Sequence, residues 1–297
     1  MEFEVIIIGG SYAGLQAAMT LGRALRKILI IDNSTPCNRQ TRYSHNFLTR
    51  DGEAPGDITA IARMELKRYA TVRLINDEVT SAINDENGFV IGTISQERFR
   101  ATKILFATGV KDILPNIDGF SDCWGISILH CPYCHGYEFT GKPTGIIAPL
   151  EDIPDMVRMI SNWTRHLTVF YDNASSNSIE IDKRLAVDTT IDVSEKIKSF
   201  HHIQGQLTSV ELQTGRKIKL DAIYARLRLV QHSDIPQNLG CKLDKNGLLT
   251  TDGFSRTAIK NIYAAGDNCN VIRSLDTAVN SGMLAGAFIN KDLIEHM

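Results

Sequence analysis

The sequence predicts an α/β fold in which βαβ units build a parallel sheet. Two apolar runs and the turn between them carry that expectation. Val5-Ile6-Ile7-Ile8 is an unbroken β-branched run, the pattern of a parallel strand buried on both faces, and Ile28 to Ile31 is a second such run. Between them the turn Gly9-Gly10-Ser11-Tyr12-Ala13-Gly14 opens a segment, Leu15 to Ala24, with Leu and Ala at helical spacing.

Each part of this unit has a physical reason. Gly9 permits a tight turn off the strand, and Gly14 permits close packing of helix against strand. The helix N-terminus offers free N–H groups and a partial positive charge, suited to a pyrophosphate. Asp32 ends the second strand 18 residues after Gly14, placed to accept hydrogen bonds from a ribose. Strand, turn, helix, strand and acid in register make a Rossmann dinucleotide unit; the bland alternative is a βαβ turn without a ligand. Ser11 stands where the fingerprint has its second glycine, and its hydroxyl can donate to phosphate.

Further along, the strand Ile104-Leu105-Phe106 runs into Ala107-Thr108-Gly109. Cys131-Pro132-Tyr133-Cys134-His135 comes next. Two cysteines at this spacing close a small disulfide ring or hold a metal, and an adjacent histidine moves protons near neutral pH. The strand Thr144 to Ile147 continues into Ala148-Pro149-Leu150-Glu151-Asp152, and Leu167 to Tyr171 is another strand, leading into Asp172-Asn173-Ala174-Ser175. Near the end, Asn261 to Ala265 is a short strand followed by Gly266-Asp267, and Thr277 to Ala287 is a helix rich in small residues.

Composition narrows the function classes. With 297 residues there is room for two domains, and a formal net charge of −2 provides no field for nucleic acid or an anionic membrane. No apolar run approaches the ~20 residues that span a bilayer. The first residues lack a basic region and a cleavage site, so no signal peptide is expected. Six cysteines are too few for a secreted disulfide scaffold, which makes the cytoplasm the expected compartment. A structural zinc site needs four ligands. There is no second CxxC, and His130 and His135 sit too close to the pair to complete a tetrahedron easily, so no metal is expected. The lone Cys37, Cys123, Cys241 and Cys269 are expected as small buried hydrophobes, and His166, His201 and His202 receive no role.

Taken in order, the glycine fingerprint, the Ala-Thr-Gly turn and the Gly266-Asp267 turn resemble the three FAD-contacting motifs of two-dinucleotide-domain flavoproteins. With the CxxC in the central segment, the whole chain resembles the low-molecular-weight thioredoxin reductases. That resemblance implies an α/β architecture of two Rossmann-like domains, the second inserted in the first: residues 1–114 plus 244–297 for FAD, and 115–243 for a pyridine-nucleotide-type domain carrying the CxxC. It implies FAD contacts from Gly9, Ser11, Gly14, Asp32, Thr108, Gly109, Gly266 and Asp267, with Asp267 on the ribityl chain. Arg273 and Ser274 would lie near the flavin O2 edge, Ser274 replacing the usual glutamine. It also implies that Cys134 faces the flavin, that Cys131 exchanges with substrate, and that the protein is a homodimer. His135 stands where the reductases have an acid–base aspartate, with a reference pKa of ~6.5.

The inserted domain departs from that pattern. Where NADPH-using relatives have a second glycine fingerprint, Pro149 removes an N–H donor, Leu150 adds bulk, and Glu151 and Asp152 set negative charge where an anion would bind. The arginine cluster that would hold a 2′-phosphate is replaced by Asp172-Asn173-Ala174-Ser175. This loss resembles the dithiol oxidases that close disulfides in small molecules and pass electrons through FAD to O2. The stretch Arg42 to Gly52 resembles the same branch and makes His45 a candidate flavin-proximal acid–base, with a packing role as the alternative. The expected function is therefore FAD-dependent dithiol oxidation at Cys131–Cys134 with His135 as acid–base. The substrate is a small dithiol/disulfide molecule or a thioredoxin-like protein. The alternatives are a disulfide reductase fed by NADPH in an unusual mode or by ferredoxin, and a redox sensor without turnover.

Overall fold

The computed structural model describes residues 2–171 and 191–295. The chain forms two compact units, one of Met1–Arg39, Glu53–Lys111 and Leu229–Met297, the other of Gln40–Gly52 and Asp112–Arg228.

The first unit is built on the strand Glu2–Ile8, whose residues Val5 to Ile7 have no exposed surface. It pairs in parallel with Ile28–Asp32 on one side and Arg98–Phe106 on the other, and Val72–Asn76 extends the sheet beyond Ile28–Asp32. Arg98–Phe106 is shared along its free edge. Its first half pairs antiparallel with Gly88–Thr93, and its last three residues pair in parallel with Ile262–Ala264. The predicted helices are present as Tyr12–Arg23 and Leu275–Ile294. The second runs further than its small-residue stretch suggests, because Ser274 caps its start and Ile289 and Leu293 continue the buried face. These helices pack without room for side chains. A Cβ on Gly282 would strike the Ala13 carbonyl, and one on Gly286 would lie 2.9 Å from Thr20 Cβ.

The second unit holds a parallel sheet in the order Ile191–Val193, Leu167–Phe170, Thr144–Ile147, Ala222–Ala225, Ile128–Leu129. A three-stranded antiparallel sheet, Ile197–Ile203, Gln206–Leu212 and Lys217–Lys219, completes it. The loop 40–52 belongs to this unit: Arg42 Nη2 donates to the Gln204 carbonyl at 2.8 Å, and Gln40 Nε2 to that of Ser121 at 3.3 Å. His201 and His202 act locally here, His201 Nε2 lying 2.8 Å from Glu211 and His202 Nδ1 accepting the Gly205 N–H at 3.1 Å. The Asp172 to Ser175 segment lies outside the described residues.

Candidate active site

In the first unit the three glycine-containing turns leave the sheet at one level. Ile8 is in register with Phe106, and Phe106 with Ala264, so Gly9, Ala107 and Ala265 emerge side by side from neighbouring strands. This is the carboxyl edge of a parallel sheet, where such folds bind ligands. Gly9 has φ +104°, and a Cβ there would strike the Ala107 carbonyl. A Cβ on Gly14 would strike the Gly9 carbonyl, so both positions require glycine. Gly109 and Gly266 also have positive φ. Asn268 Nδ2 donates to the Phe106 carbonyl at 2.9 Å and to Thr108 Oγ1 at 3.4 Å, tying the Gly-Asp turn to the Ala-Thr-Gly turn. Arg273 Nε lies 3.5 Å from Asp267 Oδ2, and Ser274 accepts the Thr277 N–H at 3.2 Å as the cap of the last helix.

Asp32 is oriented rather than idle. Its Oδ1 accepts the Gly10 N–H at 2.9 Å, and its Oδ2 is paired with Arg63, which also donates to the Gly10 carbonyl at 3.2 Å. Each carboxylate oxygen keeps a further lone pair for a ribose hydroxyl. Arg63 went unnoticed in the sequence, because a basic residue on the helix Pro55–Leu66 carries no local signal. A crevice of about 170 Å³ runs beside these turns, lined by Gly9, Thr108, Asn33, Glu78 and His232 among others. Of these, Glu78 could have been found from its place just after the strand Val72–Asn76, at the same sheet edge.

The fit of a dinucleotide can be tested on the protein atoms. Ser11 begins the first helix but its side chain makes no capping bond, leaving the hydroxyl for an incoming phosphate. The buried Arg63 Nε and Asn268 Oδ1 have no hydrogen-bond partner among the described residues. Buried polar atoms of this kind call for a partner. Glycines that cradle a backbone, an uncommitted hydroxyl at a helix start and two orphaned polar atoms suit FAD.

In the second unit Cys131 and Cys134 are joined as a disulfide with Cα atoms 5.4 Å apart. Cys131 caps the short helix Pro132–His135, and the Cys134 N–H donates to its sulfur at 3.2 Å. Pro132 is well suited to the first helical position. His135 ends this helix. Burial, with a smaller push from His45, lowers its pKa to about 4. It is therefore neutral at pH 7 and a weaker base than its reference value suggested. The structure places His45 beside it, ring centroids 6.0 Å apart and edge to face. Tyr133 is exposed and packs edge-on against Trp163. The lone cysteines are not uniformly buried, a correction to the sequence expectation. Cys123 and Cys241 are buried, Cys269 is half-buried, and Cys37 is exposed because its loop has no apolar run to cover it. Burial pushes the Cys123 thiol up to about 11 and that of Cys269 to about 12, which keeps both inert.

Where a nicotinamide dinucleotide would need a glycine turn, the strand Thr144–Ile147 leads through Pro149 into the turn Leu150–Asp152 and the helix Ile153–Ile160. Asp152 stands at that helix start, and its carboxylate pairs with Arg226 at 2.8 Å. Arg226 follows the neighbouring strand Ala222–Ala225, so one side-chain ion pair bridges the carboxyl ends of two parallel strands.

Fold and site together define a flavin-type disulfide oxidoreductase. Residues 3–282 match the pyridine nucleotide-disulphide oxidoreductase family, and the chain belongs to it. It is 30% identical to thioredoxin reductase aclD of Aspergillus oryzae, covering 98% of this chain and 96% of that protein. It is 27% identical to thioredoxin reductase tcpT of Claviceps purpurea, covering 98% and 94%. Among solved structures, an oxidoreductase from Agrobacterium tumefaciens superposes with a TM-score of 0.91 at 34% identity, covering 99% of each chain. The protein is thus a thioredoxin reductase-like, FAD-binding enzyme acting on sulfur groups. Among the described residues no helix is long and apolar enough to cross a membrane.

Proposed function

We propose that this chain oxidises a dithiol at the Cys131–Cys134 disulfide. One observation carries the reading: the helix start after Thr144–Ile147, where a pyridine nucleotide would set its pyrophosphate, is filled by Asp152 and its partner Arg226. An anion brought there finds no glycine turn, a missing N–H donor at Pro149, and a helix start whose carboxylate and guanidinium already satisfy each other. The domain 115–243 keeps its parallel sheet and its CxxC but lacks that ordinary electron source.

The exchange balances within the chain and its substrate. One substrate thiolate attacks the Cys131 sulfur and displaces Cys134 as thiolate. The second substrate thiolate attacks the resulting mixed disulfide, closes the substrate disulfide and releases Cys131. The Cys134 N–H, 3.2 Å from that sulfur, steadies the departing thiolate. His135, neutral at pH 7 though a weaker base than a solvated histidine, is the side chain assigned to take the proton of the incoming thiol. Gly9, Ser11, Gly14, Asp32, Thr108, Gly109, Gly266, Asp267, Arg273 and Ser274 would hold FAD, which when bound would supply the two-electron acceptor for the Cys131–Cys134 dithiol, with dioxygen as terminal oxidant.

The fungal relatives are named thioredoxin reductases, which favours a second reading, reduction of a thioredoxin-like protein; its electrons would come from NADPH in an unusual mode or from ferredoxin. Both readings use the same cysteines, in the cytoplasm and as a homodimer. Aerobic incubation with a small dithiol separates them. Stoichiometric hydrogen peroxide, abolished in Cys134→Ser, is expected; flavin-loaded protein that releases none overturns the oxidase reading.

A further inference from the structure

The loop residue His45 meets two residues that follow the cysteine pair. Nitrogens of His45 and His135 and a carboxylate oxygen of Glu138 all lie within 4.8 Å of one another. His45 Nε2 is 3.5 Å from Glu138 Oε1. Ligand bonds of 2.0–2.1 Å to a tetrahedral cation put neighbouring ligand atoms about 3.3 Å apart, so this edge already has nearly the required length. The opposite side of the His45 ring supplies an independent sign. Its Nδ1 lies 3.8 Å from Asp51 Oδ1, and that oxygen is itself held by the Asn46 N–H at 2.7 Å. At this ion-pair distance the carboxylate favours the ring proton on Nδ1 and the lone pair on Nε2, the nitrogen that faces Glu138.

We propose that His45, His135 and Glu138 form a three-ligand site for a divalent cation of the zinc and cobalt class, occupied reversibly and inhibitory. Two imidazoles and one carboxylate suit such ions, and a water or a substrate thiolate completes the tetrahedron. Neither cysteine of the pair is needed, so the site is available while the disulfide is closed. Binding rests on geometry alone; the inhibition rests on the acid–base role of His135, because a cation on its nitrogen takes the lone pair that accepts the substrate proton.

Calorimetric titration of ZnCl2 into FAD-loaded, disulfide-form protein tests the site, in a Cys37→Ser background that removes the exposed thiol. One saturable site is expected, weakened about tenfold or more in His45→Ala and in Glu138→Gln. Unchanged flavin content and circular dichroism show that both variants fold. No saturable binding, or binding in both variants as tight as in the parent protein, overturns the proposal. Turnover with a dithiol is then measured at rising zinc. Each protein is normalised to its own metal-free rate, and the half-inhibiting zinc concentration of Glu138→Gln rises about tenfold relative to the parent protein; chelation by substrate is common to both and cancels. Saturable binding that leaves turnover untouched upholds the site and counts against the role assigned to His135.

Discussion

Acidification should expose the cost of holding His135 neutral. Its pKa falls from 6.5 to about 4 in the folded chain, mainly through burial, while Glu138 opposes the shift. Between these values the unfolded chain binds a proton that the folded chain does not, so stability rises with pH and is lost as pH falls from 6.5 towards 4. At about 1.4 kcal/mol per unit the full window is worth roughly 3 kcal/mol, and at pH 5 about 2 kcal/mol has gone. Asn cannot take up the proton, so His135→Asn lacks this term. Urea unfolding of both proteins with EDTA at pH 7.5 and 5.0, followed by circular dichroism, should show the parent losing about 2 kcal/mol more than the variant. Equal losses would refute the reasoning and return His135 to an ordinary solvated histidine.

Other predictions follow from particular contacts. Gly14→Val sets a branched side chain on the Gly9 carbonyl and should weaken FAD binding at least about tenfold, read as flavin retained after dialysis. Asp292 is 8% exposed and joins Arg256, at 2.6 and 2.8 Å, to Tyr263 on the strand before the Gly-Asp turn. Asp292→Asn should cost about 2 kcal/mol at pH 7, measured by thermal unfolding. Arg256 holds the Asp292 carboxyl down to about 2, so this stability is present above its ordinary value near 3.8 and disappears as pH falls through 2. Gly282→Val should push the last helix off the first and cost ~1–3 kcal/mol.

Much of this organisation was legible because it is written locally. Val5 to Ile8, its glycine turn and Asp32 lie within one short stretch, and strand–turn–helix chemistry is a short-range code. The alignment of Gly9, Ala107 and Ala265 on adjacent strands was not legible, because register depends on pairings such as Ile8 with Phe106 and Phe106 with Ala264, between segments far apart in the chain. Arg63 was missed for the same reason: its partner Asp32 lies 31 residues away on another element. Pro149 and Asp152 flagged the altered nucleotide turn, yet the ion pair with Arg226 needed the fold to bring two parallel strands together. His45 was singled out for its neighbourhood in the chain. Its place beside His135 and Glu138 spans about ninety residues of sequence and has no local pattern.

Anaerobic rapid mixing reads the direction of electron flow through the Cys131–Cys134 pair. FAD-loaded protein is mixed with a small dithiol and, separately, with NADPH, while the visible flavin absorption is followed. Fast bleaching by the dithiol, lost in Cys134→Ser, is expected, with no fast bleaching by NADPH. Rapid bleaching by NADPH, with none by the dithiol, would contradict the oxidase reading and show that the helix start behind Asp152 and Arg226 still admits a pyridine nucleotide.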